Sequence, residues 1–428
     1  MRILLLNQFF WPDSAATSQL LTDLARGLAA EGHTVYAISA DGGYAVTDAG
    51  DPPPVEIHRV KALPFVRGRI GRVLSYLSFY VSAAVRGLTL PRPDLVLTLT
   101  TPPLLSLLGT LIRTLRGSRH FIWEMDVYPD VAVDLNYFKA GGLADRTTGL
   151  FADFSRRRAD GIIALGECMK ERLVQRGLDP RRIYVADNWA DATAIQPLPR
   201  PGDPSRLVLL YSGNLGLAHD LDTLTAAMLD LRNDDRFRFL FVGSGGRRQE
   251  LSSFCETHGI TSVELRPYVQ RDSLSHSLAA GDVGLVTQRE SCCGSVVPSK
   301  VYGLLAAGRP ILFVGPADAT PARIVERFQC GWHVNCNDHV ALSALLKFLA
   351  NNPKVVAEAG RHARQALVQN FDLPLGVARI VGILGAERAT PASPRNSLKA
   401  IRSHRPENAI ARQPDGNSHS ETNICTPS

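Results

Sequence analysis

The sequence predicts an α/β protein made of two doubly wound, parallel-sheet domains that face one another across a cleft. Three observations carry this. Strand-length apolar runs alternate with segments of helical period from the first residues onward. The alternation breaks at a stretch holding Pro197, Pro199, Pro201 and Pro204 with Gly202 and Asp203. It then starts again. Strands that alternate with helices make parallel β/α layers. A chain of 428 residues has room for two or three domains at roughly 150 residues each.

In the first half the expected strands are Arg2–Leu6, Thr34–Ser39, Asp94–Thr100, His120–Glu124, Gly161–Leu165 and Ile183–Ala186. Helices are expected at Thr17–Glu31, where Leu20, Leu21, Leu24, Ala25 and Leu28 share a face, and near Ile70–Leu88, Pro103–Arg116 and Glu167–Arg176. In the second half the strands are Leu207–Tyr211, Phe237–Val242, Val263–Leu265, Val283–Thr287 and Ile311–Val314. Helices fall near Leu221–Leu231, Pro298–Ala307, Val340–Leu349 and Lys354–Gln369. The division is therefore a first domain at 1–190, a linker at 191–205, a second domain at 206–370, a helix at 371–386 that crosses back onto the first domain, and a disordered tail at 387–428.

Composition narrows the class. Apolar residues make up 45% and charged residues 21% of the chain, which excludes fibrous and wholly disordered proteins. The 7 cysteines are odd in number and form no C-x-x-C, so neither a disulfide framework nor a zinc site is indicated, and a reducing compartment fits. No secretory signal is read at the start, because Asn7-Gln8 interrupts a short apolar run. The uncharged stretch Leu95–Ile112 holds Pro102-Pro103 at its centre and reads as strand, turn and helix, not as a membrane span.

Charge is uneven. Arg59 to Arg119 holds ten basic residues against Asp94 alone, and so carries +9 of a net +6, leaving the rest of the chain at −3. A basic face implies an anionic partner. Within it, Ile70, Val73, Leu74, Leu77, Val81, Ala84, Val85 and Leu88 share one helical face with core spacing. Tyr76, Phe79 and Tyr80 widen the apolar arc, and Arg67, Arg69, Arg72 and Arg86 flank it. That mixture points to an anionic membrane surface. No nucleic-acid module is readable.

In an open parallel sheet, ligands bind beyond the carboxyl ends of the strands. Three loops of that kind carry chemistry. Ser212-Gly213-Asn214-Leu215-Gly216 follows a strand and precedes a helix, so its backbone N–H groups can approach an anion; a plain tight turn would use the same glycines. His219 closes this loop and can donate to a phosphate or a sugar hydroxyl. Ser291 to Lys300 joins a strand to a helix opened by Pro298, with Lys300 expected near the third helical position. A cation there opposes the helix dipole unless an anion is held beside it. Glu124-Met-Asp126-Val-Tyr-Pro-Asp130 sets three carboxylates at the end of a strand, where one can orient a sugar hydroxyl or take its proton, or merely cap a turn. There is no G-x-G-x-x-G, Walker A, H-E-x-x-H or G-x-S-x-G element. No redox cofactor and no metal are expected, and a diphosphate would be neutralised by lysine, arginine and backbone amides.

These motifs resemble those of the family-four glycosyltransferases with the GT-B fold of two Rossmann-like domains. The resemblance runs over roughly 1–386. It includes Leu24–Val35, Asp160–Leu173, Asp187–Asp191, Tyr211–Gly216, Phe241–Gly245 and Pro298–Pro310. The Ser-Gly-Asn-Leu-Gly and Pro-Ser-Lys forms look most like bacterial fucosyl- or N-acetylfucosaminyl-transferases of surface polysaccharide assembly. The resemblance implies retaining transfer from a nucleotide diphosphate sugar to a polyprenyl-linked glycan in exopolysaccharide or lipopolysaccharide O-antigen synthesis, at the cytoplasmic face of the membrane. It implies catalytic roles for Asp126 and Lys300. It implies substrate contacts from Gly213, Asn214, Gly216, His219, Tyr268, Ser295, Val296, Val297 and Ser299, with Tyr268 near the base. One departure stands out. Many relatives carry two glutamates eight positions apart, and the matching positions here are Ser295 and Gly303. The rival readings are a nucleotide-sugar epimerase on the same architecture and a non-catalytic membrane scaffold.

Overall fold

Strand β1 (Arg2–Leu6) pairs in parallel with β2 (Thr34–Ala40) on one side and β4 (Leu95–Thr98) on the other. With β3 (Glu56–Val60), β5 (Arg119–Glu124), β6 (Gly161–Ala164) and β7 (Ile183–Val185) they form a seven-stranded sheet in the order β3-β2-β1-β4-β5-β6-β7. The second sheet holds β8 (Leu207–Ser212), β9 (Phe237–Val242), β10 (Val263–Arg266), β11 (Val283–Thr287), β12 (Ile311–Val314) and β13 (Gly331–Val334), in the order β10-β9-β8-β11-β12-β13. This computed structural model describes residues 1–13, 15–41, 50–63, 69–269 and 273–386. The tail at 387–428, Arg67, and the side chains of Arg69, Ile70 and Arg72 lie outside the described residues.

The near-continuous apolar strands follow from burial on both faces. Leu4, Leu5 and Leu6, for example, are each at most 1% exposed. The first sheet is covered by α1 (Ala16–Ala30), α2 (Arg69–Thr89), α3 (Ser106–Arg116), α4 (Asp130–Asp134), α5 (Leu143–Arg158) and α6 (Glu167–Gln175). The second is covered by α7 (Asp222–Asp230), α8 (Arg248–His258), α9 (Leu274–Ala279), α10 (Lys300–Ala306), α11 (Thr320–Phe328), α12 (His339–Asn351) and α13 (Pro353–Ala366). The last helix, α14 (Leu373–Gly385), buries Val377, Ile380, Val381 and Leu384 in the core of the first domain. It lies so close to α1 that a Cβ on Gly27 would fall 2.2 Å from Val377 Cγ1. The linker and this return crossing run side by side, with Ala190 N–H donating to the Phe371 carbonyl at 3.2 Å and Leu373 N–H to the Ala190 carbonyl at 3.0 Å. Residues 1–386 form one compact unit.

In both sheets the winding reverses beside the first strand of the sheet, between β1 and β4 and between β8 and β11. The loops after β5, β8 and β11 leave the carboxyl ends near these reversals, which is where such sheets hold ligands.

Several elements differ from the sequence expectation. Edge strands β3 and β13 and helices α4, α5, α8, α9 and α11 are additions. Lys300 is the first residue of α10, not the third. Helix α2 is turned over. Val73, Leu74, Leu77, Val81 and Val85, read as its core face, are 48–65% exposed, whereas Phe79 and Ala83 are fully buried. The sheet-facing side thus uses the aromatic residues, and the aliphatic stripe points outward.

Candidate active site

The turn after β8 and the start of α10 lie side by side. Gly213 has φ 128°, a left-handed conformation that glycine alone adopts without strain, and a Cβ there would lie 3.7 Å from Lys300 Cε. A second turn backs the first. Gly213 N–H donates to the Val242 carbonyl at 2.8 Å and Leu215 N–H to the Ser244 carbonyl at 2.7 Å. At Gly243, φ is 137° and a Cβ would fall 2.2 Å from the Gly213 carbonyl oxygen. Two glycine turns therefore stack, backbone on backbone.

Lys300 is half-buried. Its ammonium lies over the Tyr211 ring, 3.7 Å from the centroid, a cation–π arrangement. It donates to Tyr211 Oη and lies 3.3 Å from His219 Nε2. His219 Nδ1 lies 2.7 Å from the Thr287 carbonyl, which can only accept. The proton is thereby assigned to Nδ1, and Nε2 is left to accept from Lys300. Burial and the Lys300 charge push the His219 pKa down to about 3, so the ring is neutral near pH 7. Burial likewise pushes the Lys300 ammonium well below its ordinary pKa. Among the described residues it has no carboxylate partner. A desolvated cation beside backbone turns is chemically suited to an anion, which would restore its charge.

The other wall is the loop after β5. Three of its carboxylates are already held. Arg156 Nε donates to Glu124 Oε1 at 2.6 Å. Arg172 and Arg176 donate to the two oxygens of Asp130 at 2.8 and 2.6 Å. Arg172 also donates to both oxygens of Asp134 at 2.9 Å. The Asp126 carboxylate has no hydrogen-bond or ion-pair partner among the described residues. Burial first, and then the neighbouring Glu124, push its pKa up to about 6. A carboxylate poised there can exchange a proton near neutral pH.

The two walls meet. Val127 N–H donates to the Ser295 carbonyl at 2.8 Å, and Asp126 forms an isolated antiparallel bridge with Val296. Arg172 Nη1 reaches the Cys293 carbonyl at 3.1 Å. Asp126 thus stands against the 295–297 segment that leads to Lys300.

The expected site residues divide accordingly. Gly213, His219 and Lys300 stand together, and Val296 faces Asp126. Asn214 is exposed, with its carbonyl accepting from Tyr211 Oη at 2.8 Å. A Cβ on Gly216 would fall 3.2 Å from the Asn214 side-chain nitrogen. Val297 is buried in the core of the first domain, and Ser299 is an exposed residue before α10. The Ser295 side chain is fully buried, its hydroxyl donating to the Cys292 carbonyl at 3.3 Å, so only its backbone faces the first domain. Tyr268 is 67% exposed on the loop after β10, with no hydrogen bond among the described residues. Sequence reasoning missed Tyr211, which carries the ammonium, and Thr287, which sets the His219 tautomer. The aromatic residue directly before Ser212-Gly213 was the available signal for Tyr211. Nothing local marked Thr287.

Residues 17–189 match the family model of the glycosyl transferase 4-like domain, and residues 199–366 match that of glycosyl transferases group 1. The chain carries both domains, one on each side of the cleft, and is a glycosyltransferase of the GT-B fold. The probable glycosyltransferase WbjE of Pseudomonas aeruginosa is 27% identical over 339 residues, covering 76% of this chain and 84% of its own. The putative colanic acid biosynthesis glycosyl transferase WcaI of Escherichia coli (strain K12) is 23% identical over 355 residues, covering 77% and 86%. Among solved structures, HepE of Anabaena in complex with UDP and glucose aligns over 90% of this chain and 100% of its own, with a TM-score of 0.70 at 15% identity.

Proposed function

We propose that this glycosyltransferase moves a hexosyl group, with retention at the anomeric carbon, from a nucleotide diphosphate sugar to a polyprenyl-linked glycan. The product would serve exopolysaccharide or lipopolysaccharide O-antigen synthesis at the cytoplasmic face of the membrane. The observation that carries the reading is the unpaired Lys300 ammonium facing the Gly213 turn, with unpaired Asp126 on the opposite wall. Lys300 and the backbone amides near Gly213 hold the diphosphate and neutralise it as it leaves. Asp126 holds the acceptor hydroxyl and takes its proton. The Ser-Gly-Asn-Leu-Gly and Pro-Ser-Lys forms favour a fucosyl or N-acetylfucosaminyl donor. The colanic acid role in the name of WcaI and the UDP held by HepE support the polysaccharide setting and the donor class.

The acceptor's lipid would bring the enzyme to a membrane. Helices α2, α3 and α5 lie side by side, and their outer faces expose Val73, Leu77, Val81, Val85, Leu115 and Leu150. Exposed apolar residues this numerous mark a contact surface. Among the described residues, no helix is long and apolar enough to cross a membrane. We read the face as a peripheral docking surface.

The test is a screen of nucleotide sugars for thermal stabilisation and turnover, with Lys300→Ala alongside. A charged contact to the leaving group is worth about 1.5–3 kcal/mol, so Lys300→Ala should lose at least tenfold in rate. Turnover equal to the unsubstituted chain would reject the role of Lys300. Donor conversion that needs no acceptor would favour the epimerase instead. Failure of nucleotide diphosphates to raise the melting temperature would favour a scaffold.

A further inference from the structure

A small pocket beside Asp126 holds polar groups that this reading leaves idle. Thr100, Glu124, Asp126, Tyr128 and Arg156 all line it, and its free volume is about 10 Å³. That is room for one water or one hydroxyl group. Glu124 is 2% exposed. Its Oε1 is taken by Arg156, and its Oε2 has no hydrogen-bond partner. Thr100 is 8% exposed, and its Oγ1 is unpartnered too. The two residues stand at the carboxyl ends of β4 and β5, neighbours in the sheet. Glu124, the last residue of β5, and Asp126, two positions on, both face this pocket.

Buried polar atoms left unpaired are rare because they forfeit hydrogen bonds to water. Here a carboxylate oxygen needs a donor, and a threonine hydroxyl can supply one. A hydroxyl group is the smallest occupant that gives to one and accepts from the other. Glu124 is held firmly for this task. Arg156, which grips Glu124 Oε1, also donates to Asp153 at 3.3 Å, and Arg176 Nη2 holds Asp153 at 2.8 Å.

We infer that Glu124 and Thr100 form a subsite for the acceptor hydroxyl next to the reacting one. That hydroxyl donates to Glu124 Oε2 and accepts from Thr100 Oγ1, while Asp126 takes the reacting hydroxyl. The inference rests on the transferase reading above and names its acceptor class, a sugar with two neighbouring free hydroxyls. Arg156 is a positioning residue acting through Glu124.

The charge of Glu124 also bears on pH dependence. The groups around Asp126 are Glu124 and Tyr128 on its own segment and Arg156 on α5, with Tyr76 of α2 and Tyr137 beyond Tyr128. Glu124 is the second cause, after burial, of the raised Asp126 pKa. Removing its charge lowers that pKa.

The experiment uses the full chain, the donor found by the screen, and octyl monosaccharides with analogues deoxygenated at single positions. The unsubstituted enzyme should lose at least tenfold in kcat/KM on the analogue lacking the hydroxyl beside the reacting one. Glu124→Gln and Thr100→Val should each raise the acceptor KM severalfold, leave the donor KM unchanged, and erase that discrimination. Glu124→Gln should also move the acidic limb of the pH profile to lower pH, which Thr100→Val should not. Thr100→Val keeps the side-chain shape and serves if Glu124→Gln fails to fold. Unchanged acceptor KM and discrimination in an active variant would overturn the inference and leave a bound water as the occupant. Donor and acceptor KM rising together with a lower melting temperature would overturn it in favour of a structural role. If the unsubstituted chain transfers no sugar, the transferase reading fails as well.

Discussion

On the second-domain wall of the cleft one ammonium, Lys300, stands without a carboxylate partner among the described residues. On the first-domain wall Glu124, Asp130, Asp134 and Asp153 are each gripped by arginine, and Asp126 alone among these carboxylates is not. The walls are built alike as βα loops, yet their charges fall into two kinds. The paired ones tie elements together; Arg172, for instance, joins α4 and α6 to the 291–293 segment. The unpaired ones face the cleft, and burial pushes the pKa of Asp126 up and that of Lys300 down. Perturbed groups of this kind mark working sites. Removing an unpaired charge should therefore relieve the fold and stop the chemistry, whereas removing a fully paired one such as Asp130 should damage the fold; Glu124, held by Arg156 at one oxygen only, stands between the two kinds.

Asp126→Asn is the sharpest break of this comparison. Loss of a general base costs about 10²–10⁴-fold in rate. Stability should move the other way. The Asp126 pKa is about 6 in the fold against 3.8 ordinarily. Between those values the native state holds a proton that the unfolded chain has released, so stability falls as pH rises through the window. Above it the half-buried charge costs the native state about 1–2 kcal/mol after discounting for solvent. Thermal melts at pH 8 should show Asp126→Asn more stable than the unsubstituted chain, with the gap closing near pH 4. In the unsubstituted chain the rate should fall as pH drops below about 6, as Asp126 takes up its proton. A melting temperature at pH 8 below that of the unsubstituted chain would abolish the distinction between the two kinds of charge.

Asp130→Ala is the converse. It strips a shared partner from Arg172 and Arg176 and should cost about 2–3 kcal/mol of stability, read as a lower midpoint in urea. A neutral result would mean that these ion pairs are ornamental. Gly243→Ala tests the backbone part of the second wall. Its Cβ would meet the Gly213 carbonyl oxygen at 2.2 Å in a left-handed conformation, so the paired turns must part. The expected cost is about 1–3 kcal/mol, with weaker nucleotide diphosphate binding by titration calorimetry. Unchanged affinity would separate the turn from the anion site.

Much of the second wall was legible because its signals are local. Glycine turns follow strands within a few residues, and Lys300 lies directly after Pro298-Ser299. The first wall was legible only in part. Asp126 stood out as one of three carboxylates, but which of them remains unpaired depends on arginines from α5 and α6, far along the chain. Helix α5 itself was missed for a physical reason. It buries Asp153, Ser155 and Arg156 and exposes Leu143, Leu150, Phe151 and Phe154, the inverse of the pattern that marks a surface helix. Helix α2 misled in the same way, since its outward stripe has core spacing. Edge strand β13 is four residues long and mostly half-buried, and it is fixed by its register with β12, not by its own pattern.

Those two inverted helices supply the last and smallest prediction. The basic segment 59–119 stands out by its charge, yet its described arginines mostly bond to other parts of the chain. Arg92 donates to the Gly117 carbonyl at 3.1 Å, Arg113 to Asp160 at 3.1 Å, Arg116 to the Leu90 carbonyl at 2.9 Å and Arg119 to the Ala386 carbonyl at 2.7 Å. Among the described side chains, what faces outward on α2, α3 and α5 is mostly apolar, with Phe151 and Phe154 beside the aliphatic residues, joined by exposed Arg86, Arg146, Arg157 and Arg158. Docking should then rest on apolar insertion, worth up to about 1.5–3 kcal/mol per fully buried large side chain, with roughly 1 kcal/mol from each nearby arginine on an anionic surface. Flotation with vesicles of anionic phospholipid should show binding that weakens only modestly between low and high salt. Leu77→Asp should reduce the bound fraction severalfold, and Arg157→Ala by less. Binding that vanishes at high salt and ignores Leu77→Asp would return the contact to the basic segment, and with it the opposite view of which side of α2 meets the membrane.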